Sequence, residues 1–231
     1  MLLEVSGLSK HFGGIAALSG VSFHIREGEV LGLIGPNGAG KTTLLECLAG
    51  VMPADSGSIS PAGARERLFY VPDAIAPWSA QPLGWALDFT IGFFRGRGEL
   101  REELIDQLGL RTLLCQSIGT LSKGQRKRAL LAIGLLTPQP ALLIDEPFDG
   151  LDLRQSREIA AALRSHATRG RTLFLSIHQI ADAGRFCDRF VLLSGGRICG
   201  EGTIAELSAL ATATDSSHDY DNLEEVFLAL T

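Results

Sequence analysis

The sequence predicts an α/β domain whose core is a mostly parallel sheet covered by helices. Three observations carry this reading. Short apolar runs at residues 30–34, 141–145 and 172–176 have the length and flanks of buried strands. Segments with helical periodicity alternate with them, the order that a parallel sheet demands. A glycine-rich stretch, residues 35–40, lies between an apolar strand and a helix.

The elements follow in order. Residues 2–30 read as short strands and turns: Leu3 and Val5, then Val21, Phe23 and Ile25, alternate with more polar positions, as a half-buried sheet requires. Glu27-Gly28-Glu29 is a turn, and residues 30–34 form the first buried strand. A helix is expected over 41–48, ended by Ala49-Gly50. Short strands are expected at 58–60 and 68–71.

From residue 72 to about 114 the chain changes character. Leu83, Leu87, Ile91 and Phe94 recur at spacings of three and four, and Leu100, Leu104, Ile105 and Leu108 repeat the pattern, which predicts amphipathic helices. Trp85, Phe89 and Phe93 fall on a different stripe. That stripe is either lobe core or an exposed contact surface, and the sequence leaves both open. A helix after Leu121 runs to about Leu136; Pro138 and Pro140 separate it from the strand at 141–145. A helix at 154–168, a strand at 172–176, a short helix at 180–186 and a strand at 189–193 follow, then a Gly195-Gly196 turn into Ile198. The polar residues 212–222 read as an exposed linker to a last helix, 223–230.

Composition narrows the function classes. With 231 residues, 45% of them apolar, the chain can bury a sizeable core and is not a disordered segment. A net charge of −5 and a pI of about 5.6 give no support to a nucleic-acid partner. The compact basic run is Lys123, Arg126, Lys127 and Arg128. Cys47, Cys115, Cys187 and Cys199 lack CxxC spacing, which argues for incidental thiols in a reducing compartment over a zinc site or disulfide scaffold. No basic start with an apolar block follows Met1, and no apolar run has bilayer length. Work at a membrane therefore requires a separate membrane subunit.

Two motifs carry chemistry. Gly35-Pro36-Asn37-Gly38-Ala39-Gly40-Lys41-Thr42 fits G-x-x-x-x-G-K-[ST] between a strand and a helix. Glycines let the backbone curl so that N–H groups converge on phosphate oxygens, and the helix start adds its positive end. Lys41 is expected to reach the β- and γ-phosphates and Thr42 to offer its hydroxyl oxygen to Mg²⁺, with Thr43 beside it. The second motif is an apolar strand ending in Asp145-Glu146-Pro147, which delivers acids to the carboxyl edge of the sheet. Asp145 suits the Mg²⁺ sphere, and Glu146 can orient or deprotonate an attacking water.

With these motifs in place, the chain resembles an ATP-binding cassette domain, the motor of ABC transporters. Residues 35–43 resemble Walker A and residues 142–146 Walker B. Leu121-Ser122-Lys123-Gly124-Gln125 resembles the Leu-Ser-Gly-Gly-Gln signature, departing at Lys123. Phe148-Asp149-Gly150-Leu151-Asp152 resembles the D-loop, and His178 the switch histidine; without the family, His178 reads as a solvent-facing loop residue. Phe12 resembles the aromatic that stacks on adenine, with Ala17 on the same side, although alone Phe12 is a strand or core aromatic.

The resemblance implies a RecA-like P-loop NTPase fold. It has a mostly parallel core sheet, an N-terminal antiparallel β subdomain and a helical subdomain inserted at about 74–136. Residues 1–231 form a single ATPase domain, with a C-terminal tail from about 212. It implies ATP and Mg²⁺ as ligands and a head-to-tail homodimer or heterodimer of cassettes. Lys41 and Thr42 of one subunit, with Ser122 and Gly124 of the other, would enclose one ATP. It implies a membrane permease as partner and a cytoplasmic place on the membrane's inner face. The tail, residues 223–231, resembles cassette subunits of ABC-2-type exporters. A soluble cassette ATPase that drives a ribosome, DNA or cofactor-assembly machine is the alternative. One departure concerns the site: Asp73 stands where the family usually has a glutamine tied to Mg²⁺, which makes Asp73 a candidate metal contact, directly or through water.

Overall fold

The computed structural model describes residues 1–61, 63–73, 75–178, 183–184, 186–214, 220 and 222–231. Most of the short helix expected at 180–186, and the linker at 215–219 and 221, lie outside them.

Two sheets form the frame. Strands β1 (Leu3–Phe12), β2 (Ile15–Ile25) and β4 (Ser56–Ser60) make an antiparallel sheet in the order β2-β1-β4. The larger sheet contains β3 (Val30–Ile34), β5 (Leu68–Val71), β6 (Ala141–Ile144), β7 (Thr172–Ile177), β8 (Arg189–Ser194) and β9 (Arg197–Gly202). Its order is β5-β6-β7-β3-β8-β9, parallel except for β9 against β8. This is the expected α/β class with an antiparallel N-terminal part. The first two strands are longer than expected, 10 and 11 residues, because a tight turn at Gly13 and Gly14 keeps them paired to their ends.

Alternation within the central strands explains their unbroken apolar runs. Val30, Ile34, Leu142, Ile144, Leu173 and Leu175 enter one core, while Leu31, Leu33, Leu143, Phe174 and Val191 enter the other. Both faces of the sheet are buried, so no polar positions are needed. Helix α1 (Lys41–Ala49) places Leu44, Leu45 and Leu48 in the second core, together with the antiparallel sheet.

Helices α2 (Leu83–Phe94), α3 (Arg101–Gln107) and α4 (Lys123–Leu136) lie between β5 and β6 in the chain and build on the first core. Leu83, Ala86, Leu87 and Thr90 are the buried face of α2. Trp85, Phe89 and Phe93 are exposed, which resolves the stripe left open by the sequence. Helix α4 is held at both ends. Ser122 and Gln125 form a capping box at its start. At its end, buried Arg171 donates to the carbonyls of Gly134 and Leu135 at 3.1 and 2.6 Å.

Helix α5 (Leu153–Thr168) is capped by Asp152. Helix α6 (Ile204–Thr214) was not expected, and its last turn replaces the start of the proposed linker. The signal lies just before it: Glu206 N–H donates to Thr203 Oγ1, and Thr203 N–H to Glu206 Oε2, a capping box. Helix α7 (Leu223–Leu230) follows as expected, with Asn222 as its cap.

Candidate active site

Sheet order assembles the site. Strands β5, β6, β7 and β3 are neighbours in that order, and all run parallel. Their carboxyl ends therefore set Asp73, Asp145 with Glu146, His178 and the Gly35 loop along one edge, where open α/β sheets bind ligands.

Close approach of neighbouring backbone requires glycine at two points of the loop between β3 and α1. A Cβ at Gly35 would lie 2.3 Å from the Leu193 carbonyl oxygen. Gly40 has φ 104°, and a Cβ there would lie 2.5 Å from the Ala17 carbonyl oxygen. Ala39 is buried, and its N–H donates to the Pro36 carbonyl, which curls the loop, while Pro36, Asn37 and Gly38 are exposed. Helix α1 begins at Lys41, so the unpaired N–H groups of its first turn belong to the same loop.

Lys41 is buried, with its ammonium held by the Gly35 and Pro36 carbonyls at 2.8 and 3.2 Å. Thr42 Oγ1 donates to Asp145 Oδ2 at 2.7 Å. A groove of about 280 Å³ beside these groups is lined by Asn37, Gly38, Thr42, Thr43 and Glu146, and Phe12 and Ala17 form its outer wall. Phe12 is half exposed there, outside either core.

Glu146 lies between the cation and the imidazole. Its Oε1 is 3.7 Å from Lys41 Nζ, and its Oε2 is 3.3 Å from His178 Nδ1. His178 Nε2 is 3.9 Å from Asp149 Oδ1. Glu146 is a non-glycine residue at φ 47°. Such backbone is costly unless its surroundings impose it. Ser176 helps impose it: its Oγ accepts from the Glu146 N–H at 2.8 Å and donates to Asp145 Oδ1. Tyr70 approaches Asp145 Oδ2 at 3.5 Å, and burial, then the Asp145 charge, raise its phenol above the ordinary range.

Ser122, Lys123, Gly124 and Gln125 do not line this groove. The Ser122 and Gln125 side chains serve the α4 cap. Lys123 pairs with Asp149, whose carboxyl is held below the usual range by that hydrogen bond. A Cβ at Gly124 would lie 3.1 Å from Leu151, and Gly150 packs on Lys123, so the segment 149–152 rests on the start of α4. Asp73 faces Lys127 at 2.7 Å.

Ser176 and Tyr70 were not expected at the site, and Lys127 was expected only as part of a basic run. Lys127 gave no signal of its own, since Arg126 and Arg128 flank it and the three read as one basic run; for Ser176 the signal was a polar residue near the end of an apolar strand.

The ABC transporter family model matches residues 18–149. The chain is 34% identical to the hemin import ATP-binding protein HmuV of Streptomyces coelicolor, over 98% of this chain and 86% of that protein. It is 33% identical to the Nod factor export ATP-binding protein I of Rhizobium sp. strain N33, over 87% of this chain and 70% of that one. It is 30% identical to the probable multidrug ABC transporter ATP-binding protein YbhF of Escherichia coli K12, of which it spans 41%. Among solved structures, an ATP-binding subunit of an ABC transporter superposes with a TM-score of 0.88 at 28% identity, over 100% of this chain and 99% of the other.

Proposed function

Because the chain belongs to the ABC transporter family as an ATP-binding and ATP-hydrolysing cassette domain, we propose that it is the motor of a membrane transporter, coupled to a separate permease and working in the export direction. No helix among the described residues is long and apolar enough to cross a membrane, so the path for cargo is assigned to that permease. The similarity to a protein named for export and the resemblance of residues 223–231 to the tails of exporter cassettes favour export, and one relative is named for import.

The observation that carries the catalytic reading is the position of Glu146 between Lys41 and His178. In this reading Phe12 and Ala17 receive the adenine, residues 35–43 cradle the phosphates, and Lys41 leaves its two carbonyls for the β- and γ-phosphate oxygens. Thr42 and Asp145 present adjacent oxygen donors, which fit Mg²⁺. An ion held by Thr42 and Asp145 would supply positive charge against the charge that develops on the phosphate oxygens during hydrolysis. Glu146 accepts the proton of the attacking water, and His178, fixed between Glu146 and Asp149, orients that water and the γ-phosphate.

A second cassette completes the site. Ser122, Lys123, Gly124 and Gln125 lie away from the chain's own groove, on an exposed helix start suited to a neighbour's γ-phosphate. Residues 149–152, resting on that start, join the two sites across the dimer. The aromatic ladder on α2 is the permease contact.

Glu146→Gln tests the reading directly. We expect turnover to fall at least 100-fold while ATP binding persists and a stable ATP-bound dimer accumulates in gel filtration. Turnover within a few-fold of the parent rules Glu146 out as the base. Co-purification from mild detergent separates the transport reading from a soluble one: recovery of a multi-span membrane protein supports it, and recovery of ribosomes or DNA overturns it.

A further inference from the structure

Lys127 is buried in α4, with about 4% of its side chain exposed, yet it is a cation outside the phosphate loop. A buried ammonium is costly unless it is paired, so its partners carry information. There are two. Nζ lies 2.7 Å from Asp73 Oδ1 and donates to the backbone carbonyl of Glu146 at 2.5 Å. The Asp73 contact is ionic and not an aligned hydrogen bond, for Oδ1 has no hydrogen-bond partner among the described residues.

These contacts place one side chain between three segments. Lys127 belongs to the helix that begins with the signature residues, one turn after Ser122 and Lys123. Asp73 follows β5, and the Val71 carbonyl accepts from Asp145 N–H at 2.9 Å, so the loop at Asp73 already adjoins the acid pair. Glu146 is the left-handed residue whose backbone must be imposed from outside. Ser176 holds its N–H, and Lys127 holds its carbonyl.

We propose that Lys127 is a positioning residue for hydrolysis: it fixes the backbone of Glu146, and Asp73 holds it in place, so that a movement of the loop at Asp73 reaches the catalytic carboxylate through one ammonium. Asp73 is then occupied as a counter-ion and not as a metal contact. The proposal rests on the reading of Glu146 as the base.

The test uses the full chain and four variants, Lys127→Gln, Asp73→Gln, the double variant Asp73→Gln/Lys127→Gln and Glu146→Gln. Each is measured for kcat and KM of ATP hydrolysis, binding of a fluorescent ATP analogue and thermal midpoint. Each single variant leaves one charge of the pair unmatched. We expect kcat to fall at least ten-fold in both, with KM within about three-fold of the parent. The double variant has no unmatched charge, and its amides can still bridge position 73 to the Glu146 carbonyl. It should regain at least five-fold over the weaker single variant. Losses that multiply in the double variant, or singles that keep kcat within two-fold, overturn the proposal. If a single variant does not fold, the double variant decides: a folded protein that binds ATP but turns over more than 100-fold slower than the parent counts against the bridge. Glu146→Gln separates the two levels. If it turns over normally, the reading of the base fails; if it is inactive while the Lys127 variants are not, the positioning role alone fails.

Discussion

The carboxyl edge of the larger sheet and the outer face of α2 depart from ordinary burial in opposite directions. At the edge, charge is taken out of water: Lys41, Lys127 and Asp145 are each about 95% buried. Every one has partners, through carbonyls, a carboxylate or hydroxyls. On α2, apolar rings are left in water. Trp85 stacks on Phe89 at 5.0 Å and Phe89 on Phe93 at 5.5 Å, with Trp78 across the first two, and Phe93 is 68% exposed. Paired buried charge stores electrostatic potential for chemistry inside the chain. A continuous ladder of exposed rings gains nothing until another surface covers it. One region satisfies its charges within the chain; the other leaves its rings uncovered.

Lys41→Ala is the strongest way to break the first half of that contrast. Removing the one cation in the loop should weaken nucleotide binding by about 100-fold or more, read by titration with a fluorescent ATP analogue. Affinity within three-fold of the parent would mean that its carbonyl contacts, not phosphate, are its work.

Phe89→Glu with Phe93→Glu addresses the second half. Charges placed in the ladder should cut capture of the membrane partner by about 30-fold, the scale of one interface hot spot. ATP binding, measured in parallel, reports on folding. Undiminished capture moves the permease contact elsewhere.

A third place sharpens the comparison, because it obeys neither pattern. His166 in α5 is fully buried, and neither ring nitrogen has a hydrogen-bond partner among the described residues. Burial, then the nearby Arg171 charge, push its pKa down to about 4. The folded state therefore holds it neutral, while the unfolded chain takes up a proton near pH 6.5. Its stability contribution is full above pH 6.5 and is lost as the pH falls towards 4. The expected loss is about 1.4 kcal/mol at pH 5.5. Urea unfolding of His166→Leu at pH 7.5 and 5.5 checks this: its pH dependence should be shallower than the parent's by that amount, and an equal slope would refute the assignment.

The legible parts of the site were those made by neighbours in the chain. The Gly35 loop, Lys41 and Thr42 are read from one short pattern, because the strand before and the helix after are both local. Asp145 and Glu146 were legible as the end of an apolar strand. Helix α6 was missed although its capping box stood in the sequence, and its last three residues, 212–214, had been read as the start of the polar linker. The second stripe of α2 was visible, but not whether it was covered; periodicity assigns faces and leaves their neighbours undetermined.

Residues close in the chain thus specified the elements, the phosphate loop and the acid pair, because turn chemistry, capping and alternation act over a few positions. Strand order lay beyond them. It is the sequence β5-β6-β7-β3 that brings Asp73, Glu146, His178 and Lys41 to one edge. Packing of α4 against that edge put Lys127 between Asp73 and the Glu146 carbonyl, a meeting of three segments far apart in the chain. A charge takes its role from whatever the fold sets within a few ångströms of it, and in this chain those groups come from distant parts of the sequence.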